Sequence, residues 1–227
     1  MHIFNYESKF TQTLMYVADL AILNLLYVIC CLPIFTMGAA QAGLYAGIRV
    51  LTDPEDDSSI AAAFFKGFAN GFFKITLGWG MMALVLALVA FFGYWAILNG
   101  SPLWPIGIAL AILAWFQAMI PPLHCWFDCS AIQLVRNAWR FSLAHPLRSL
   151  GAAALLWFPF ILFMSQWSFY FMALGMLWLT LYYSVATLFS VSLLKKPLNN
   201  LAKRFREPEV QKENEEEPKE EMAAIEE

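Results

Sequence analysis

The chain has 227 residues, of which 60% are apolar and only 14% are charged. Soluble domains are about 45–50% apolar and about 25% charged, and a fold of this size buries only about 70–75% of the surface that its unfolded chain exposes. The composition therefore excludes a soluble enzyme. It predicts an all-α fold, a polytopic membrane helix bundle.

Charge is distributed unevenly, although the net charge is only −3. Residues 207–227 contain ten acidic residues and two lysines, which gives −8, whereas residues 1–206 carry +5. The acidic stretch has two prolines and few large apolar residues, which predicts a disordered cytoplasmic tail. We therefore divide the chain into an integral membrane domain, 1–206, and a tail, 207–227. The cationic body suits anionic lipid headgroups.

Four apolar stretches are long enough to cross a bilayer core, which requires about 20 apolar residues in a helix. The last of them has room for two spans around a turn at Ser165–Ser168. The four stretches are Leu14–Phe35, Ile75–Leu98, Ile106–Phe127 and Leu150–Leu194. Residues 1–13 lack the pattern of a cleavable signal peptide, so none is expected.

The segment Ala39–Leu51 leaves the number of membrane helices open. At 1.5 Å per residue it reaches only about 20 Å, so it is either a short returning helix or a re-entrant piece. Pro33 is expected to end the first helix, and Thr36 is a candidate N-cap for the next. We favour the returning helix, which gives six membrane helices in three hairpins; the alternative is five.

Loop charges predict the orientation, because cytoplasmic loops are enriched in Lys and Arg. The uncharged loops Asn99–Pro105 and Ser165–Ser168 are expected outside. The basic segments, and with them the C-terminus, are expected in the cytoplasm. Their cations are Arg49, Lys66, Lys74, Arg136, Arg140, Arg148, Lys195, Lys196, Lys203, Arg204 and Arg206.

Two predicted cytoplasmic segments, Ile60–Lys74 and Asp128–Arg148, are amphipathic, as helices that lie at a membrane surface are. Each has an apolar stripe that we expect at the acyl boundary and cations that we expect to contact lipid phosphates or a partner. The stripes are Ile60, Phe64, Phe68 and Phe72 in the first and Ile132, Val135, Trp139 and Leu143 in the second. The cations are Lys66, Lys74, Arg136, Arg140 and Arg148.

Asp19 and Asn24 are polar residues inside the first apolar stretch. A carboxylate in a membrane span costs a few kcal/mol unless it is paired or reaches water. Asp19 is therefore interpreted either as the lining of a substrate or proton path or as a packing contact near the interface. Asn24 lies about 140° away around the helix, so the two side chains do not share a face.

The stretch from His124 to Cys129 holds two i, i+4 pairs, His124 with Asp128 and Cys125 with Cys129. Such spacing suits a metal ion, but a closed zinc site needs about four ligands and no second ligand set follows. We interpret the stretch as a helix end with a His–Asp hydrogen bond and expect no metal site.

The chain contains no Walker-type phosphate loop, no H-E-x-x-H, no G-x-S-x-G and no nucleic-acid motif. We therefore expect no catalytic residues, no cofactor and no nucleic-acid partner. The glycines at 43 and 47 form a small-xxx-small pair that allows helices to approach closely, within the chain or between copies. The oligomeric state is not determined by the sequence.

The run from Asn24 to Ala39, with Leu32-Pro33-x-x-Thr36-x-Gly38 as its most specific part, resembles the YesL-like family of small bacterial membrane proteins, which is uncharacterised. The segments Phe64-Phe65-Lys66 and Arg136-Asn137-Ala138 also fit the family pattern. Where family members often carry a proline after Gly38, this chain has Ala39. The resemblance implies a multi-pass protein of the bacterial cell membrane, often encoded beside carbohydrate ABC transporters.

Two functional hypotheses follow. In the first, the chain is a non-enzymatic accessory or regulatory component of carbohydrate ABC-type uptake, with transporter subunits as partners and the lipid bilayer as its medium. In the second, it is a stand-alone small-solute transporter or channel with Asp19 and Asn24 lining the path. A permease role is disfavoured because residues 128–148 lack the Glu-Ala-Ala…Gly signature through which permeases engage their ATPase.

Overall fold

The computed structural model describes residues 9–53, 58–127, 129–164, 175 and 178–202. Within these ranges every regular element is helical, which confirms the predicted all-α class. The helices are α1 (Lys9–Cys30), α2 (Met37–Leu51), α3 (Ile60–Ala69), α4 (Phe72–Leu98), α5 (Leu103–Gln117), α6 (Ile120–Trp126), α7 (Ala131–Ala144), α8 (Pro146–Met164) and α9 (residues 183–202). Outside the described residues lie Asp128, the predicted turn Ser165–Ser168, the cations Lys203, Arg204 and Arg206, and the tail 207–227.

Three described helical segments are long and apolar enough to cross a membrane: Lys9–Cys30, Phe72–Leu98 and Trp104–Trp126. They correspond to the first three stretches predicted from composition. The predicted total of six spans and the predicted orientation stay predictions. α2 is a regular helix of 15 residues, so its helical character is confirmed.

The turn between α1 and α2 explains the Pro33, Thr36 and Gly38 pattern. Pro33 cannot donate a backbone hydrogen bond and disfavours helix at the residue before it, and α1 ends at Cys30. Thr36 directly precedes α2, but its hydroxyl makes no cap bond. It is instead within 2.5 Å of the Cys30 carbonyl and 2.6 Å of the Pro33 carbonyl, and it ties the turn together.

α2 lies at the centre of the packed part of the bundle, with nine of its fifteen residues buried. Small residues allow this close packing. A Cβ atom added at Gly43 would lie 2.8 Å from the carbonyl oxygen of Phe64 in α3, and one at Gly47 would meet the side chain of Leu23 in α1. The small-xxx-small pair therefore makes its close contacts within the chain.

The first amphipathic segment differs from the expectation. It is not one helix over Ile60–Lys74, because α3 ends at Ala69 and α4 begins at Phe72, with Gly71 between them in the left-handed conformation (φ 62°). Its stripe does not face acyl chains, since Phe64 is fully buried against α2 and Phe68 packs beside it. The glycines of α2 have no side chains, so this stripe packs directly against the backbone of α2 rather than against lipid.

The predicted span Ile106–Phe127 is a broken helix. α5 ends at Gln117, and α6 begins at Ile120, immediately before Pro121 and Pro122. Neither proline has an N–H group to donate to the carbonyl four residues earlier. The break therefore lies where the carbonyls of Gln117 and Ala118 lose their usual helical donors.

α9 closes the bundle through polar contacts with the N-terminal helices. The Tyr45 hydroxyl is 2.6 Å from the Ser190 Oγ, and both residues are fully buried. The Ser184 N–H donates to the Asn24 Oδ1 at 3.0 Å, just after a π-helical turn at Trp178–Tyr182. These bonds join segments that are far apart in the sequence.

Candidate functional site

A cavity of about 540 Å³ lies between the C-terminal end of α1, the start of α2, the first half of α4, the α5–α6 break, α8 and α9. We call it the central cavity. Its volume is in the range of about 300–1,000 Å³ that is typical of small-molecule sites. We therefore consider it a candidate ligand site in the part of the chain that the structure describes.

Aromatic rings form much of the wall of the central cavity. The rings of Tyr27 and Tyr183 are 5.0 Å apart between centroids, and the Trp157 indole N–H donates to the Ala114 carbonyl at 3.0 Å. Trp79 lies against Gly38, where an added Cβ would be 2.7 Å from the Trp79 Cβ. The lack of a side chain at Gly38 therefore leaves room for Trp79, which forms one wall of the cavity.

The polar side chains of the wall are few. Gln117 is 2% exposed, and its Oε1 has no hydrogen-bond partner among the described residues. Gln41 is half-buried, and Tyr27 and Cys31 are hydrogen-bonded to each other. No Asp, Glu, Lys or Arg belongs to the described lining. The cavity therefore suits an uncharged molecule.

The two polar residues predicted in the first span do not meet at this cavity. Asn24 is fully buried and accepts the backbone hydrogen bond from Ser184, so it holds α9 against α1. Asp19 is partly exposed on α1. Neither residue is part of the described cavity lining.

The second amphipathic segment has three faces rather than two. One face of α7 is packed into the core through Ala131, Leu134, Ala138 and Phe141. The predicted apolar stripe lies beside that face and is largely exposed, with Ile132 71% and Leu143 63% exposed. The cations Arg136 and Arg140 are exposed next to the stripe.

The segment starts later than predicted, at Ala131, and ends before Pro146, where α8 begins. The Ser130 N–H donates to the Gln133 Oε1 at 3.0 Å, which secures the start of α7. Trp139 stacks on Phe116 of α5 at 4.0 Å between ring centroids. These contacts fix α7 on the bundle, while Ile132 and Leu143 of its apolar stripe stay exposed among the described residues. We call Ile132, Arg136, Trp139, Arg140 and Leu143 the α7 face.

The other predicted surface cations, Lys66, Lys74 and Arg148, are also exposed. Lys66 and Arg49 line a second cavity of about 340 Å³ together with Asp53, Asn70 and His124. Arg49 also lies over the ring of Trp126, 5.3 Å from its centroid. These contacts bring Arg49 of α2 and Lys66 of α3 to the same cavity.

The candidate metal ligands have separate partners. His124 is buried, and its Nε2 is 2.7 Å from the Asn70 carbonyl, so it pins the break between α3 and α4. The Cys125 thiol donates to the Ala42 carbonyl at 3.6 Å, whereas Cys129 accepts from Asn137 at 3.7 Å. Among the described residues no three His, Cys, Asp or Glu side chains are grouped to hold a metal ion. Asp128, the predicted partner of His124, lies outside the described residues.

Gln117 was missed by the sequence analysis. A signal was available, because it is an uncharged polar residue in an apolar span, four residues before Pro121. A polar side chain next to a proline break inside a membrane helix is a recurring feature of binding sites in membrane proteins. The aromatic walls gave no such signal, because they come from helices far apart in the sequence.

Residues 20–94 match the model of a family described as "Protein of unknown function, DUF624". The matched segment runs from α1 to α4 and contains Pro33, Thr36 and Gly38. It covers about a third of the chain, and Gln117, Trp157 and Tyr183 of the central cavity lie outside it. No curated protein matches the chain, and no solved structure matches it.

Proposed function

We propose that this chain is a non-enzymatic accessory or regulatory component of carbohydrate ABC-type uptake in the bacterial cell membrane, with a cytoplasmic C-terminus. The YesL-like resemblance supports this proposal, and the match of residues 20–94 to a family of unknown function is compatible with it. The observation that carries the proposal is the α7 face, which is held rigidly on the bundle and is exposed.

The α7 face is suited to a protein partner for two reasons. Its apolar side chains Ile132 and Leu143 offer area that a partner can bury, and Arg136 and Arg140 select an acidic surface. Because the buried face of α7 is anchored independently, docking requires no rearrangement of the bundle. The occupant we propose is an acidic, partly apolar segment of a transporter subunit. Charge complementarity of this kind supplies specificity and a fast association rate.

The stand-alone transporter hypothesis receives less support from the geometry. A coupled transporter usually places ionisable groups along its path. The described lining of the central cavity contains no carboxylate, and neither Asp19 nor Asn24 reaches it. The accessory role is therefore the one that we carry forward.

The test is an affinity pull-down of the tagged protein from bacterial membranes in mild detergent, from cells grown on a complex glycan. The informative variant is Leu143→Glu, which introduces a charge into the exposed stripe. Leu147→Glu is the matched control, because it makes the same substitution at a leucine that is 86% exposed and lies outside the α7 face, at the start of α8. We expect transporter subunits with the wild-type chain and with the control, and about tenfold less with Leu143→Glu.

Two results would contradict this proposal. Equal recovery of transporter subunits with both variants would remove the α7 face from the interaction, provided that yield and elution volume are unchanged. Recovery of no transporter subunit even by the wild-type chain would remove the accessory role. In that case solute flux into proteoliposomes, compared between the wild-type chain and Asp19→Asn, becomes the deciding measurement.

A further inference from the structure

We propose that the central cavity is a binding site for an uncharged amphiphile, a molecule with a mainly apolar body and one hydroxyl or N–H group. This inference goes beyond the docking role, because the cavity and the α7 face use different residues. Either proposal can therefore fail alone.

Gln117 provides the first argument. Its side chain is 98% buried and lines the cavity, yet its Oε1 accepts no hydrogen bond from any described residue. A buried polar atom that lacks a partner costs free energy comparable to a lost hydrogen bond, so such atoms usually have a partner. The Oε1 is shielded from the cavity in this conformation, so a ligand that donates one hydrogen bond would reach it after rotation of the terminal amide, which exchanges the positions of its oxygen and nitrogen.

The helix break provides the second argument, which is independent of the side chain. Pro121 and Pro122 remove the donors that would normally bond the carbonyls of Gln117 and Ala118, and both residues line the cavity. Interrupted membrane helices are tolerated where the freed backbone groups meet protein or line a cavity. The break thus adds hydrogen-bond acceptors to the neighbourhood of the Gln117 amide.

The remaining wall limits the class of ligand. The described lining holds no charged side chain, which disfavours an ion or a phosphate. A free sugar carries hydroxyl groups around its whole ring, and most would be left unpaired against Trp79, Trp157 and aliphatic side chains. A flat apolar body fits better, because the rings of Tyr27 and Tyr183 offer stacking surfaces.

The test uses two probes that differ only in a hydroxyl group, 6-fluoro-2-naphthol and 2-fluoronaphthalene. Binding to the full-length protein in nanodiscs is followed by fluorine NMR and corrected with empty nanodiscs of the same lipid. We expect saturable binding of both probes. The variant Gln117→Leu removes the acceptor at similar volume, and it should weaken the naphthol about tenfold while the hydrocarbon changes less than twofold.

A second pair of variants tests the cavity itself and does not depend on Gln117. Ala83→Phe places a large side chain in the cavity and should weaken binding of both probes about tenfold, whereas Leu84→Phe enlarges a neighbouring side chain that is 62% exposed and should leave both unchanged. The proposal is overturned if the wild-type chain shows no saturable binding. It is also overturned if Ala83→Phe binds both probes normally, or if Gln117→Leu weakens the two probes equally.

Discussion

The α2–α3 pair and the far half of the α4–α5 hairpin are both apolar, but they are packed in opposite ways. Gly43, Gly47 and Gly67 bring α2, α3 and α1 into close contact, and α2 is largely buried. In the far half of α4, large side chains such as Phe91, Phe92 and Trp95 are more than 60% exposed. Hydropathy alone does not distinguish these regions. Residue size decides whether an apolar helix packs against protein or is left to lipid.

The largest expected effect is at the α2–α3 contact. Gly43→Leu should lower the free energy of unfolding by about 3 kcal/mol, because the side chain meets the backbone of Phe64, which cannot rotate away. The matched control is Gly80→Leu, where an added Cβ has no described atom within 4 Å. Unfolding in mixed micelles measures both variants. Equal losses would show that the contrast between the two regions is not one of packing.

The second effect concerns the polar contacts that hold α9. Asn24→Leu should cost about 2 kcal/mol, because it leaves the buried Ser184 N–H without its acceptor. Asp19→Asn on the same helix is partly exposed and should change the free energy of unfolding by less than about 0.5 kcal/mol. A larger loss with Asp19→Asn than with Asn24→Leu would contradict the assignment of Asn24 as the residue of this helix that holds α9.

The third effect is a coupling between α2 and α9. Tyr45→Phe should cost about 1 kcal/mol, because it leaves the buried Ser190 hydroxyl unpaired. Ser190→Ala should cost a similar amount, and the double variant should cost less than the sum of the two. A double-mutant cycle on the free energy of unfolding measures this coupling. Strict additivity would mean that the two hydroxyl groups do not interact.

The smallest effect is expected in the sparsely packed region. Gly93 makes a close approach to α5, where an added Cβ would lie 2.5 Å from the γ2 methyl group of Ile106 and 3.5 Å from its Cγ1. Because the χ1 angle of a β-branched side chain in a helix is restricted, α5 must shift slightly to relieve this clash. Alanine favours helix over glycine by about 1 kcal/mol and offsets part of that cost, so Gly93→Ala should lower the free energy of unfolding by less than about 1 kcal/mol. A loss as large as that of Gly43→Leu would show that the α4–α5 contact is as rigid as the α2–α3 contact.

Much of the fold was predictable because long apolar runs in a sequence predict membrane helices. The end of the first helix near Pro33 and the close contacts at Gly43 and Gly47 followed from the sequence. The packing of α3 did not, because periodicity identifies the apolar stripe around Phe64 but not the surface that covers it. On α7, the buried face is formed by Ala131, Leu134, Ala138 and Phe141, which lie beside the predicted stripe, whereas Ile132 and Leu143 of that stripe are exposed.

The candidate site was less predictable than the fold. Asn24 was singled out as a polar residue in an apolar span, and its side chain accepts a hydrogen bond from the Ser184 N–H of α9. Gln117 is likewise a polar residue in an apolar span, but its candidate role depends on the cavity that it lines. That cavity is assembled from six helices, so its existence depends on tertiary contacts between residues as far apart as Tyr27 and Tyr183.

The bonds between α9 and the first two helices have a consequence for biogenesis. Asn24 is bonded to a residue 160 positions later, and Tyr45 to one 145 positions later. At about 5–20 residues per second of synthesis, these groups wait on the order of ten seconds for their partners to be made. During that interval both groups lack their α9 partners inside apolar segments, where an unpaired polar group is costly.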